Sequence, residues 1–379
     1  MKNFITIAIL FAVTLTSYSQ SLGYQDLGVL FSQNDGNGSA RFTAMSGAFG
    51  ALGGDVSVMN INPAGIAVFK NSSFSGTFNS RNSDIISNYY GNSLTTQDQF
   101  ISLSHAGAVL VFDSAYNSEW NKFAIGFNYR ITKDFTNSFL AQGNSGVATF
   151  TEFPLDTNTP TINYNTADEQ RFSNNYNGEI SELNIAFSSV HQKKLYIGLG
   201  LNFYDLNFSQ QSQLTEFNSD INGNQLDANY YQENFTTGTG FSANAGFIYK
   251  AHPNFRFGLA YQTPTWFTEI IEATNITDND GFYGDTEIVV SNDNAIYDNT
   301  SGGYYPIQEL IYELKTPSKL TASAAFIFGK KGLLSIDYIN KNYQGMKLSN
   351  GVFTDENQFF QNELRNTHSF NVGTEWRLD

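Results

Sequence analysis

Apolar residues recur at every second position through a series of short segments, and 122–131 shows the pattern most clearly. There Phe123, Ile125, Phe127, Tyr129 and Ile131 alternate with Ala124, Gly126, Asn128 and Arg130. A period of two sends the two sets to opposite faces of a β-strand. The same reading holds for 195–208, where Leu195, Ile197, Leu199, Leu201 and Phe203 oppose Tyr196, Gly198, Gly200 and Asn202. It holds again for 255–262, where Phe255, Phe257, Leu259 and Tyr261 oppose Arg256, Gly258, Ala260 and Gln262. Segments 73–80, 99–112, 180–190, 240–250, 319–328, 333–340 and 368–376 complete a set of about ten predicted strands. In 99–112 the expected apolar face is Ile101, Leu103, Val109 and Val111, interrupted by His105 and Gly107.

The connections alternate between short and long. Turns at 113–119, 191–193, 252–254 and 329–332 separate the strands of each pair, whereas polar stretches at 132–177, 209–237, 263–316 and 341–365 join one pair to the next. Within the third stretch, 307–314 reads equally as a short strand or a helical turn. A soluble β-sandwich alternates in the same way, but its two-sheet core does not require this loop asymmetry. A transmembrane antiparallel β-barrel does, with short turns in the periplasm and long loops outside. The expected fold class is therefore all-β, a transmembrane barrel, with Trp120, Tyr129, Tyr249, Tyr261, Tyr338 and Trp376 as interfacial aromatics.

Composition fits this reading. The chain carries 34 Phe and 21 Tyr among 379 residues, yet its hydrophobic content is only 41% and its mean hydropathy is -0.29. That combination arises when one strand face meets lipid and the other meets a polar lumen. At the start, Lys2, an apolar run from Phe4 to Leu15 and small or polar residues to Gln20 read as a cleaved signal peptide over 1–19. No later run reaches the roughly 18 apolar residues of a membrane helix. There is no cysteine, so disulfides and thiolate metal sites are excluded. The net charge of -15 disfavours nucleic acid, whose phosphates are held by Lys and Arg.

The stretch from Gly38 to Phe69 breaks the strand pattern. Gly47, Gly50, Gly53 and Gly54 are set among small residues, and the segment closes on Asn62-Pro63-Ala64-Gly65, a tight-turn signal. The glycine spacing is not G-x-G-x-x-G and no buried strand precedes it, which excludes dinucleotide binding. A glycine- and alanine-rich segment ending in Asn62, Pro63 and Ala64, behind a signal peptide and ahead of β-strands, resembles the N-terminal hatch of the FadL/TodX family of outer-membrane transporters for hydrophobic compounds. The resemblance implies a hatch over 20–70 that plugs a barrel over 71–379 in the outer membrane of a Gram-negative bacterium. The family has fourteen strands, so the chain is expected to be truncated at its C-terminus. No wall kink is identifiable in the third strand, which leaves the family's lateral exit without a counterpart here.

Candidate residues follow from strand parity and from the resemblance. Phe42, Met45, Phe49 and Leu52 fall at spacings of three and four, so a helical turn would gather them on one face, either along an acyl-chain path or as packing for the plug. Arg130 points inward at the outer end of its strand, as Arg256, Glu375 and Arg377 do at the opposite end. Arg130 either meets a substrate carboxylate with its guanidinium fork or pairs with an acidic residue of the hatch or a neighbouring strand. Loop aromatics Phe150, Phe153, Tyr230, Tyr231 and Phe235 offer a capture surface. No nucleophile, base and carboxylate arrangement involves His105, His191, His252 or His368, so no catalytic residue and no enzyme activity is expected. The segments 220–224 and 278–281 imitate calcium loops but lack the glycine and glutamate such loops need; no metal or cofactor is expected. The expected function is passive uptake of hydrophobic compounds such as long-chain fatty acids, with outer-membrane lipid and lipopolysaccharide as surroundings. The alternative is a related barrel that serves as a docking or shuttle component of a protein secretion system and so has a protein partner. A general porin is disfavoured because a hatch would plug it.

Overall fold

The structure is a computed structural model that describes residues 22–114, 118–152, 160–278, 289–290 and 308–377. The signal peptide and Phe153 lie outside these residues. Two short helices lead the chain, α1 (Tyr24–Phe31) and α2 (Ala40–Ala44), followed by 3₁₀ turns at Val56–Asn60 and Pro63–Val68. Strands β1 (Ser73–Tyr89), β2 (Asn92–Asp113), β3 (Trp120–Asp134), β4 (Asn137–Gly143) and β5 (Phe150–Glu152) come next. The longest strands are β6 (Thr166–His191), β7 (Leu195–Ser219) and β8 (Gln225–His252). After them come β9 (Phe255–Gln262), β10 (Trp266–Asp278), β11 (Val289–Val290), β12 (Gln308–Lys315), β13 (Lys319–Phe328), β14 (Gly332–Lys341), β15 (Lys347–Ser349), α3 (Thr354–Asn362) and β16 (Thr367–Trp376).

All strands but β5 and β11, which pair with one another, form one large curled antiparallel sheet with the path β1-β2-β3-β6-β7-β8-β9-β13-β14-β16. Among the described residues the two end strands, β1 and β16, do not pair with one another. Tight turns join neighbours at one end of the sheet. At the β6–β7 turn Gln192 (φ 49) and Lys193 (φ 57) both take positive φ, which matches the right-handed twist of the flanking strands.

Side-chain alternation follows the sequence within a central band. On β7, Ile197, Leu199, Leu201 and Phe203 are exposed on the convex face, while Gly198, Gly200 and Asn202 are buried on the concave face. Beyond Phe203 the polarity inverts: Asp205 and Asn207 are exposed, and Leu206 and Phe208 are buried. The apolar convex band is thus about eight residues deep on β7, or roughly 20 Å once strand tilt is allowed for, close to the ~25 Å apolar band of outer-membrane barrels.

Several expectations need correction. Polar residues 166–179, 209–219 and 225–237 are strand, because β6, β7 and β8 continue past the apolar band as a paired ribbon. A strand wetted on one face and capped on the other carries no clean apolar alternation, so its sequence reads as loop. The stretch 307–314 is strand, pairing as β12 with β10, and 341–365 contains β15 and α3. His105, expected on the convex face, is fully buried on the concave one, as is Val109. The cause is a β-bulge: Thr77 pairs with His105 and Phe78 with Leu103, so Ser104 is an extra residue that shifts the parity of everything after it. Leu110 and Phe112 accordingly take the convex face in place of Val109 and Val111.

Two cores fill the concave side. Near the tight turns, the segment from Phe42 to Ile66 packs with Val109, Ala124, Ala186 and Ala325. At the other end α1 and α3 pack with β10, β12 and β15 around Leu27, Phe31, Phe208, Tyr312 and Phe360. The N-terminal segment therefore threads the concave side from one end to the other.

Candidate functional site

Asn62-Pro63-Ala64-Gly65 forms the second 3₁₀ turn and its cap. Asn62 has extended backbone (φ -144, ψ 103), and its side-chain oxygen accepts from the Ala64 amide at 3.1 Å. Pro63 follows at the first helical position, where its missing N–H costs nothing. The Asn62 amide nitrogen donates twice, to Gly50 O (2.8 Å) and to Phe247 O of β8 (3.0 Å). One side chain thus fixes its own turn, the glycine-rich loop before it and the sheet wall. Close approach depends on Gly198 and Gly246, since a Cβ at the first would strike Pro63 and Ala64 and at the second the Asn62 side chain.

Other wall side chains hold the backbone of the segment. Asn244 donates to Met59 O (2.7 Å), Arg256 to Leu52 O (2.7 Å), Lys319 to Asn60 O (3.0 Å) and Ser188 to Ala64 O (3.2 Å). Asp337 accepts from the Gly50 amide (2.9 Å). Ser57 Oγ lies 3.2 Å from His105 Nε2, which gives the histidine turned inward by the bulge a polar partner in the segment. Arg41 pairs with Glu375 at 2.8 Å and sits over the Phe49 ring.

Phe42, Met45, Phe49 and Leu52 are all buried and share one cluster, but not through one helix. Helix α2 ends at Ala44, and Gly47 turns the chain with φ 69. Stacking of the Phe42 and Phe49 rings at 5.6 Å brings the four together instead.

Arg130 is buried and bound to Glu182 of the adjacent strand, with Nη2 to Oε2 at 2.6 Å and Nε to Oε2 at 2.8 Å. It lines a small pocket of about 80 Å³ between the two cores, together with Lys319, Lys341, Gln262, Tyr204 and the end of α1. Three basic side chains, Arg130, Lys319 and Lys341, line this pocket, and no Asp or Glu is among its lining residues. Phe31, Ile180 and Phe267 give it an apolar side. Lys319, Lys341 and Glu182 were missed in the sequence, although parity held a signal: each shares the inward phase of Thr321, Asp337 or Asn184. The Asn184 amide also bonds Asn202 across the strands, which continues a polar strip below the pocket.

Above the pocket the cap is aromatic. Phe31 packs edge-on against Phe135 and Phe208, each at 5.7 Å, and Tyr24 against Tyr312 and Phe353, each at 5.4 Å. Within it lies a buried carboxylate, Glu272. Its partner on β8 is Thr236, beyond Phe241 where the apolar convex band ends, and burial pushes it up to about 7.

Of the proposed capture aromatics, Phe150 is buried with Tyr164, Leu226 and Ala228 and stands beside Tyr230, while Phe235 is exposed. Asp220 accepts from both Asn222 and Asn224, so its carboxylate closes a turn. Among the described residues no cluster of three His, Asp or Glu side chains is arranged for a metal. In the third strand, register shifts occur only at its two ends, near Trp120 and Ile131.

No protein-family model and no curated protein matches the chain. Solved structures do. A FadL homologue from Pseudomonas aeruginosa superposes with a TM-score of 0.57 over 92% of this chain and 78% of its own, at 15% identity. The CymD monoaromatic hydrocarbon channel superposes with a TM-score of 0.51 over 91% of this chain and 81% of its own, at 11% identity. The chain has the fold of FadL-type channels, as the resemblance around Asn62-Pro63-Ala64 implied.

Proposed function

With the FadL-type fold as premise, we propose that the protein is an outer-membrane channel for passive uptake of hydrophobic compounds, and that amphipathic anions such as long-chain fatty acids are among them. The observation that carries this reading is the pocket lined by Arg130, Lys319 and Lys341 with Phe31, Ile180 and Phe267 on its other side. Basic groups beside apolar side chains suit a carboxylate attached to a hydrocarbon chain. At about 80 Å³ the pocket admits the head of such a molecule while the tail displaces cap side chains.

In this reading the aromatic cap around Phe31 receives the compound from outside, and the cationic pocket holds it. Of the hatch over 20–70, the segment 40–68 must loosen for release toward the periplasm. Besides its apolar packing, it is gripped by separate hydrogen bonds from wall side chains to hatch backbone, which can break without unfolding the wall. The test is mass spectrometry of small molecules extracted from protein purified in mild detergent, against a matched porin. Enriched fatty acids that vanish in Lys319→Ala/Lys341→Ala support the proposal. An empty barrel that brings down a large protein partner supports the docking role instead.

A further inference from the structure

Above the pocket of Arg130, Lys319 and Lys341 the concave side holds a second cavity, of about 420 Å³. Leu22 and Leu30 of α1, Ile85 of β1, Phe135, Tyr176 and Phe208 give it apolar walls. Strands β3, β6 and β7 lead from one space to the other: Thr132, Ile180 and Tyr204 face the small pocket, whereas Phe135, Tyr176 and Phe208 face the larger cavity. Each step is three or four residues, so the cavity lies about 10–14 Å further from the tight turns at ~3.4 Å per residue. The end of α1 divides the two, with Leu30 on one side and Phe31 on the other. Phe31 is set edge-on between Phe135 and Phe208, and because its side chain has no polar atom, moving the ring breaks no side-chain hydrogen bond. The chain just past the helix is fixed separately, by the Asp35 amide donating to Thr132 O at 2.8 Å and by the Asp35 carboxylate paired with Lys133 at 2.9 Å.

The two spaces differ in charge. Beside the larger cavity Arg81 is paired with Asp134 at 3.6 Å and donates to Thr136 O at 2.6 Å, and Lys133 is held by Asp35. In the small pocket Arg130 is paired with Glu182, but among the described residues Lys319 and Lys341 are in no ion pair. A carboxylate is therefore drawn to the small pocket and a hydrocarbon tail to the larger cavity. The opposite course, with the tail toward the hatch, meets a polar floor. Asn128, Asn184 and Asn202 are buried and paired across β3, β6 and β7, Asn202 donates to Ser242 Oγ at 2.9 Å, and Lys319 reaches Asn60 O, whose side chain is buried too. A methylene chain laid across this floor satisfies none of these amides, so that course is unfavourable. Beyond the floor Phe42, Phe49 and Met59 are buried in their own cluster.

On the reading proposed above, that amphipathic anions are among the substrates, we infer that such a molecule binds with its head toward the tight turns. Its carboxylate meets Lys319 and Lys341, and its tail runs past Phe31 into the cavity between α1, β1 and β3. The size of that cavity then sets which tail lengths are preferred, and Phe31 is a specificity-determining residue that yields to the tail.

The experiment uses the full chain in mild detergent and palmitate carrying a diazirine at its methyl end, with the photoadducts mapped by mass spectrometry. Adducts are expected on Leu22, Leu30 or Ile85. Adducts on Phe42, Met45 or Phe49, or on the convex face alone, place the tail elsewhere and overturn the inference. Equilibrium titrations with palmitate and octanoate then compare the parent with Ser83→Trp, which fills the cavity from β1. Since each buried methylene is worth about fourfold in affinity, the preference for palmitate over octanoate should fall at least about tenfold. Heat-modifiable gel mobility reports folding; if Ser83→Trp does not fold, Leu22→Trp fills the same cavity from the α1 side, and the adduct map needs no variant. A preference unchanged in a folded variant overturns the inference while the channel reading stands. A parent that binds neither acid overturns both.

Discussion

Asn62→Ala tests how the N-terminal segment is held. The side chain is almost fully buried, and removing it orphans Gly50 O, Phe247 O and the Ala64 amide. An unsatisfied buried backbone group costs about 1–3 kcal/mol; partial relaxation places the sum at the lower end, about 3 kcal/mol. At 1.4 kcal/mol per tenfold, the undocked population rises about a hundredfold. The chain has no native cysteine, so a single one at Ala67, which is fully buried, reports undocking through its maleimide labelling rate. Labelling of Ala67→Cys/Asn62→Ala is expected about a hundredfold faster than Ala67→Cys alone while the barrel stays folded. Asn62→Asp separates the two roles, since a carboxylate still caps Ala64 but cannot donate to Gly50 O and Phe247 O. It is expected to label at least as fast as Asn62→Ala. Labelling of both variants within threefold of the parent would refute the argument that this side chain clamps the segment.

Three further outcomes follow from the same geometry. Gly198→Val forces a side chain into Pro63 and Ala64, at an overpacking cost of about 1–3 kcal/mol, and is expected to raise Ala67→Cys labelling without removing any hydrogen bond. Glu182→Ala leaves Arg130 buried and unpaired, which costs about 3 kcal/mol or more. It should lower the denaturation midpoint yet tighten binding of a fatty acid in equilibrium titration, since the Arg130 fork is released to the ligand. Glu272 makes the cap sensitive to pH: burial raises its carboxyl from 4.5 to about 7, with Tyr24 of α1 and Tyr312 of β12 facing it and Glu356 of α3 beside Tyr24. The folded state then holds the proton more tightly than the unfolded one, so its stabilisation is complete below about 4.5, falls as pH rises to about 7, and stays low above. Thermal midpoints across that window should fall with rising pH, and Glu272→Gln should flatten the profile.

Strands and their pairing order were legible because both rest on local pattern. Phe123 to Tyr129, Ile197 to Phe203 and Phe255 to Tyr261 alternate at period two, and tight turns such as Gln192-Lys193-Lys194 can join only neighbours. Asn62-Pro63-Ala64 was legible as a capped turn, since its Asn62 to Ala64 bond spans two residues. Where alternation failed, so did the reading: polar 209–219 is strand because a partner chain segment, 225–235, supplies its hydrogen bonds. The face of His105 was not legible either, because the bulge at Ser104 is set by pairing with β1.

What the sequence by itself determined, then, is a chain of antiparallel strands with one apolar and one small or polar face, led by a glycine-rich segment. The pattern of each strand is written within a few residues of itself, and steric and hydrophobic forces act on it there. Only the tertiary structure decided the site. Arg130 meets Glu182 across 52 positions, and Lys319 reaches Asn60 across 259. Those meetings depend on how far the sheet curls and where the N-terminal segment lies within it. Neither quantity has a local signature, because both are fixed by the balance of all the contacts along the wall.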